Sequence, residues 1–338
     1  MGPRATITAA IGMLAILAAS GFVFWQAGLG FHACRVDDDI SLGDRTAVAQ
    51  ASVEFIELVR AGETSAVFER MSRAGLESTE RAALLNIVEM TISAPGGELE
   101  TRRTYSLHSI GAARGYAPCR EDGGMAFVAR GGGFHTMFAV VAEPIDGAER
   151  SWSFWFERER GVWRVRGVHV GVSEVAGRDG AELWALAEEQ RRQNQVFNST
   201  LLYDIASTAL FRGQFLHPAE AEGFARARQM WRRHQDVIQA RFHVGGQVFP
   251  IANMSAVGTG DGSLVLVLDQ ALDLPVTAAE ADEKNRALID GMNADRPEWR
   301  AVFDAIAVGS PTGPNRVWRT VYDGAQGYLP PPDEIIRL

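Results

Sequence analysis

Residues 151–172, SWSFWFERERGVWRVRGVHVGV, restrict the fold more than any other stretch. They read as two β-strands joined by a tight turn at Gly161. On the first arm Trp152, Phe154 and Phe156 share one face, and Ser153, Trp155 and Glu157 share the other. On the second arm Trp163, Val165, Gly167 and His169 share a face, and Arg164 and Arg166 point the opposite way. This period-two alternation of aromatic and β-branched residues around a glycine is a hairpin signal. A sheet face so aromatic needs a cover.

The preceding segment supplies it. Residues 44–61 carry a helical stripe of Ala47, Ala51, Phe55, Leu58 and Val59, and Gly62 ends it. Residues 64–74 and 78–93 read as two further helices, and Pro95-Gly96-Gly97 breaks the pattern. From Thr101 the period becomes two, with strands expected at 103–110, 125–129, 136–143, 151–158 and 162–172. Helices followed by an antiparallel meander predict an α+β fold.

The pattern AVAQASVEFIELVRAGETSAVFERMSRA and the closing GVWRVRGVHV resemble the opening helices and last strand of the NTF2-like superfamily, the cystatin-type cone. The resemblance covers about residues 44–175. It implies helices over a bent antiparallel sheet, and a pocket lined by inward residues of the strands. Tyr105, His135, Trp155, Trp163 and His169 are the pocket candidates, and His108 and Glu143 are further titratable groups. The superfamily includes isomerase-like and dehydratase enzymes, in which a histidine beside a carboxylate can serve as a general base, and also non-catalytic exported modules. Its catalytic carboxylates have no counterpart here, so no catalytic residue is assigned. Fold alone does not choose between these roles.

At the N-terminus, residues 5–33 contain no Asp, Glu, Lys or Arg, and 7–25 are strongly apolar. Such a run is long enough to cross a bilayer, and Arg4 before it with Asp37, Asp38 and Asp39 after it orient the body outward. The expectation is a single-pass inner-membrane anchor over residues 1–33, a linker over 34–43 and a periplasmic body. The alternative is a signal peptide cleaved near Ala18-Ala19-Ser20. In an oxidising compartment Cys34 and Cys119 can pair or remain separate thiols.

Residues 179–325 read as a second α+β region, and 326–338 as a proline-rich tail. Helices are expected at 180–211, whole or broken, at 218–241, at 277–293 and from Pro297 through 306. Strands are expected at 248–257, 264–268 and 316–322. Gly258-Thr259-Gly260-Asp261-Gly262 lies between two strands and lacks the lysine and helix of a phosphate loop, so it reads as a hairpin turn. The arginines at 226, 228, 232 and 233 read as a solvated helix face.

The net charge of -9, with no basic run, argues against nucleic-acid binding. No CxxC or metal-ligand spacing involves the cysteines or His217, His234 and His243, and no Gly-x-Ser-x-Gly elbow occurs, so neither metal nor cofactor is expected. The functional expectation is a membrane-anchored, exported, non-catalytic scaffold that binds a protein partner in the bacterial envelope. The alternative is a lipid or small apolar ligand, or isomerase-like chemistry, in the pocket of the cone.

Overall fold

The computed structural model describes residues 31–78, 81–93, 96–110, 114–119, 127–132, 135–145, 148–213, 215–218, 242–259, 261–272, 274–313 and 316–330. Its organising unit is the aromatic hairpin, β6 (Ala148–Glu159) and β7 (Val162–Val175). Arg160 and Gly161, at φ 52° and 85°, make the turn. Two consecutive residues at positive φ match the right-handed twist of the flanking strands.

Around the hairpin, β1 (Phe31–Val36), β2 (Glu100–Ile110), β5 (His135–Ile145) and β8 (Arg178–Asp179) complete a curled six-stranded antiparallel sheet of order β1-β2-β5-β6-β7-β8. One face lies under α1 (Leu42–Arg60), α2 (Thr64–Arg70), α3 (Arg73–Ser78) and α4 (Arg81–Ser93). Ser41 caps α1 by accepting from the Asp44 amide at 3.2 Å. The helix lays Val48, Phe55, Ile56 and Val59 onto the sheet and stops at Gly62, φ 70°. A three-stranded sheet, β3 (Arg114–Cys119), β4 (Phe127–Gly132) and β9 (Leu216–Pro218), covers the other face. β9 comes from beyond residue 179, so the second half of the chain contributes a strand to the first.

Cys34 on β1 and Cys119 on β3 form a disulfide with Cα atoms 5.2 Å apart. It staples the covering sheet to the main one across a separation of 85 residues, worth about 4–5 kcal/mol in the chain-entropy model.

The remaining chain forms α5 (Gly180–Arg192), α6 (Val196–Leu210), β10 (Phe242–Val244), β11 (Gln247–Phe249), β12 (Ile251–Gly258), β13 (Leu264–Gln270), α7 (Ala278–Asp295), β14 (Ala305–Gly313), β15 (Arg316–Asp323) and β16 (Gly327–Tyr328). β12 to β16 make a five-stranded sheet in which β13 and β14 run parallel across the α7 crossover. Asp179 and Thr277 start α5 and α7 with capping boxes to Glu182 and Glu280. A buried polar knot fixes α7 to its sheet: Asn285 receives Gln270 and Ser310 and donates to Thr320 and the Trp318 carbonyl.

Three expectations need correction. The fold class is α+β, but among the described residues no helix is long and apolar enough to cross a membrane. The run at 7–25 that carried the expected anchor lies outside the described residues. The expected linker at 34–43 is instead strand, a 3₁₀ turn at Asp37–Asp39 and the start of α1, because Cys34 and Val36 pack against the covered sheet face. The expected helix from Pro297 through 306 is a single 3₁₀ turn, Pro297–Ala301, followed by β14. The run Ala305–Ser310 is buried throughout, as suits a central strand in parallel pairing, and such a run has no period to separate it from a helix. Of the helix expected at 218–241, Pro218 is the last residue of β9, and the rest, with its arginines, lies outside the described residues.

Candidate functional site

The five pocket candidates do not line one pocket. The sheet divides them. Met137, Ala139, Val141, Trp152, Phe154, Phe156, Trp163 and Val165 pack under the helices. Tyr105, Leu107, Phe138, Val140 and Trp155 pack under the covering sheet with Leu210, Phe215 and Leu216. His135 and Trp163 therefore belong to one side, and Tyr105 and Trp155 to the other.

His169 is on the second side, against expectation. The ladder pairs Phe156 with Val165 and Trp155 with Gly167, so Arg166 is an unpaired extra residue. Such a bulge inverts the parity of the side chains that follow it, here as far as the next register shift at Ser173. Val168 and Val170 then join the helix-covered core, and His169 faces away, edge-on to Phe211 at 4.8 Å. Burial pushes its imidazole below the ordinary range, partly opposed by a hydrogen bond to the Phe211 backbone. Ser153, opposite His169 in the ladder, has a buried hydroxyl without a partner and no accessible surface, so it offers nothing to a ligand.

Under the helices the aromatic row is closed. Trp152, Phe154 and Phe156 stack with centroids 6.4 and 5.7 Å apart, and Phe55 of α1 meets Phe154 edge-on at 5.5 Å. All four are completely buried. These four side chains have no surface left to meet an apolar ligand.

At one end of the row Glu143 is fully buried. It accepts from Trp152 Nε1 at 2.6 Å, Arg150 Nη1 at 3.2 Å and Arg60 Nη2 at 2.9 Å. Arg60 also reaches the Gly97 carbonyl, so this carboxylate ties the end of α1 to β5 and β6. A side chain at Gly96 would strike Glu143 Oε1 at 2.0 Å. The carboxylate is enclosed in an internal ion-pair network and has no surface open to a substrate, although Arg60 Nε is left without a partner.

The half-exposed titratable cluster lies at the other end. His108 and His135 face each other across β2 and β5 and stack at 4.2 Å and 21°. The Ser106 hydroxyl sits 2.9 Å from His135 Nε2 and 3.3 Å from His108 Nδ1. Trp163 meets His135 edge-on at 5.0 Å, and Arg158 lies over the Trp163 ring at 5.6 Å. Burial lowers both imidazole pKa values, helped by Arg35 at His108 and by the neighbouring His108 at His135, while Asp44 pulls both up. Asp44 is held by Trp163 Nε1 at 3.2 Å and Ser41 Oγ at 2.9 Å, so it orients neither ring. Ser106 is itself buried. A hydroxyl–imidazole contact exists here, but without an orienting carboxylate or an approach to the hydroxyl it lacks the parts of a nucleophilic site.

Sequence reasoning weighed His108 and His135 separately; their pairing follows from the β2–β5 register, which no local pattern shows. Among the described residues no group of three or more His, Cys, Asp or Glu could hold a metal ion. No family model, curated protein or solved structure matches the chain.

Proposed function

We propose that the protein is a non-catalytic, partner-binding scaffold of the bacterial cell envelope, with its folded body in an oxidising compartment and an NTF2-like first unit. The observation that carries this reading is the closed aromatic row. With Trp152, Phe154, Phe156 and Phe55 in mutual contact and wholly buried, the helix-covered face serves as core. A lipid or isomerase substrate would need that volume open.

Two features support the reading. Both cysteines are joined across distant strands, which suits an exported chain. Leu85 and Ile92, seven residues apart on α4, and Leu76 on α3 leave apolar side chains exposed on the helical layer, where a protein partner can bury them.

Crosslinking in intact cells, followed by affinity purification and mass spectrometry, tests the proposal. The expected result is one stoichiometric protein partner with crosslinks near α3 and α4. Recovery of the protein alone, or with bound lipid, counts against it.

A further inference from the structure

We propose that the His108–His135 pair is an acid-sensitive latch: neutral, it holds β1 and the first turn of α1 on the sheet rim, and uptake of one proton by the pair loosens them.

The hydrogen-bond arithmetic comes first. Ser106 Oγ lies within reach of a nitrogen from each ring and is almost completely buried. With both imidazoles neutral, Ser106 donates to one ring and accepts from an N–H of the other, so both capacities of its hydroxyl are used. A proton on the accepting ring turns that nitrogen into a second donor, and the serine hydrogen loses its acceptor in a buried position, which is unfavourable. A proton on the donating ring goes to its outer nitrogen, leaves the serine bonds in place and acts through its charge alone.

The charge acts in the same direction. The groups facing the pair are Arg35 from β1, Arg158 from β6 and Asp44 from α1; β7 contributes the uncharged Trp163. A new imidazolium meets its stacked neighbour and two guanidinium groups, with Asp44 alone in its favour. Arg35 stands opposite Ser106 in the ladder, and β1 is an edge strand held through β2, so the repulsion falls on the more weakly held element. Asp44 is the residue whose amide and carboxylate both bond Ser41 at the start of α1. Its attraction to the new charge draws it from the Trp163 and Ser41 contacts that seat that turn. The Cys34–Cys119 bridge keeps β1 tethered, so the change is a local opening.

Hydrogen exchange read by mass spectrometry at pH 7.5 and pH 5, corrected for intrinsic exchange, tests the latch on the oxidised full chain. The expected result is a several-fold loss of protection at pH 5 in residues 31–36 and 41–48, absent from α7. In the His108→Gln/His135→Gln double variant that loss disappears. Equal losses in wild type and variant, or none in wild type, overturn the proposal. If the variant fails to fold, histidine ring resonances of the wild type decide: titration of the pair below the ordinary histidine value, together with shifts at Arg35 and Asp44, supports the latch. Titration at or above that value overturns it.

Discussion

His169 stands opposite Ser153 in the β6–β7 ladder, on the face of the sheet away from Trp163, because Arg166 is inserted between Val165 and Gly167. Arg166 stays engaged: its guanidinium lies 5.3 Å from the Trp155 ring centroid and 3.6 Å from Glu157 Oε2. Behind it the α3 backbone closes in, since a side chain at Gly75 would come within 2.8 Å of the Arg166 carbonyl. Deleting Arg166 removes the extra residue and leaves Val165, Gly167, Val168, His169 and Val170 in simple alternation, with Val168 and Val170 still in the core and His169 still outside. We expect a modest loss of about 1 kcal/mol in urea unfolding, from the Arg166 contacts alone. A loss of about 3 kcal/mol or more, as for core residues turned to solvent, would show that the bulge does not set the parity.

Phe154 lies at the centre of the closed aromatic row. Phe154→Ala is expected to cost about 3–5 kcal/mol by tryptophan-monitored denaturation, the range for large-to-small changes in a packed core. A cost below about 1 kcal/mol would mean that the site collapses easily or was never packed.

Glu143 accepts three hydrogen bonds, two from arginines, in a fully buried position. Glu143→Gln removes the buried negative charge that Arg60 and Arg150 share, while Arg60 keeps Glu57, and is expected to destabilise by about 3 kcal/mol. Replacing Gly96 by Ala should produce a related defect, because the added carbon would overlap the carboxylate. Thermal melts of the two single variants check both.

Reducing the Cys34–Cys119 bridge, or replacing both cysteines by serine, is expected to lower stability by about 2–5 kcal/mol. The loss should appear first as increased exchange in β1 and β3. Unfolding curves with and without reductant measure it.

Tyr203 donates to Glu188, and burial together with that bond raises its pKa to about 12. The folded state therefore keeps this proton where the unfolded chain, near 10, has lost it. The associated stability is complete below pH 10 and declines as pH rises from 10 to about 12. In Tyr203→Phe that part of the alkaline decline should vanish.

The histidines work in the opposite sense. His108, His135 and His169 all have pKa values lowered from 6.5, so the unfolded chain binds protons that the folded one resists. Stability should fall as pH drops below about 6.5 and level off once the folded-state values are passed.

The hairpin was the most legible part of the sequence. Its alternation placed Trp152, Phe154 and Phe156 on one face, and Arg160-Gly161 supplies the turn that the pattern required. The helical stripe of α1 was equally plain, since Phe55 and Val59 recur at helical spacing and Gly62 stops it. What escaped was non-local. A single inserted residue, Arg166, moved His169 to the other face, and no local preference marks such an insertion. β1 is six residues long and gains its stability from β2 and the disulfide, so its own pattern was too short to read. The split of Tyr105 and Trp155 from His135 and Trp163 depends on a second sheet that borrows β9 from beyond residue 179.

Native mass spectrometry of the protein, isolated from its own cells without denaturant, tests the partner-binding account most directly. The account predicts the chain in complex with a second protein and no small-molecule adduct, because Trp152, Phe154 and Phe156 are wholly buried in core contacts. A stoichiometric small-molecule adduct that is lost on substituting a residue of that row would contradict it, and would place a ligand where we find core.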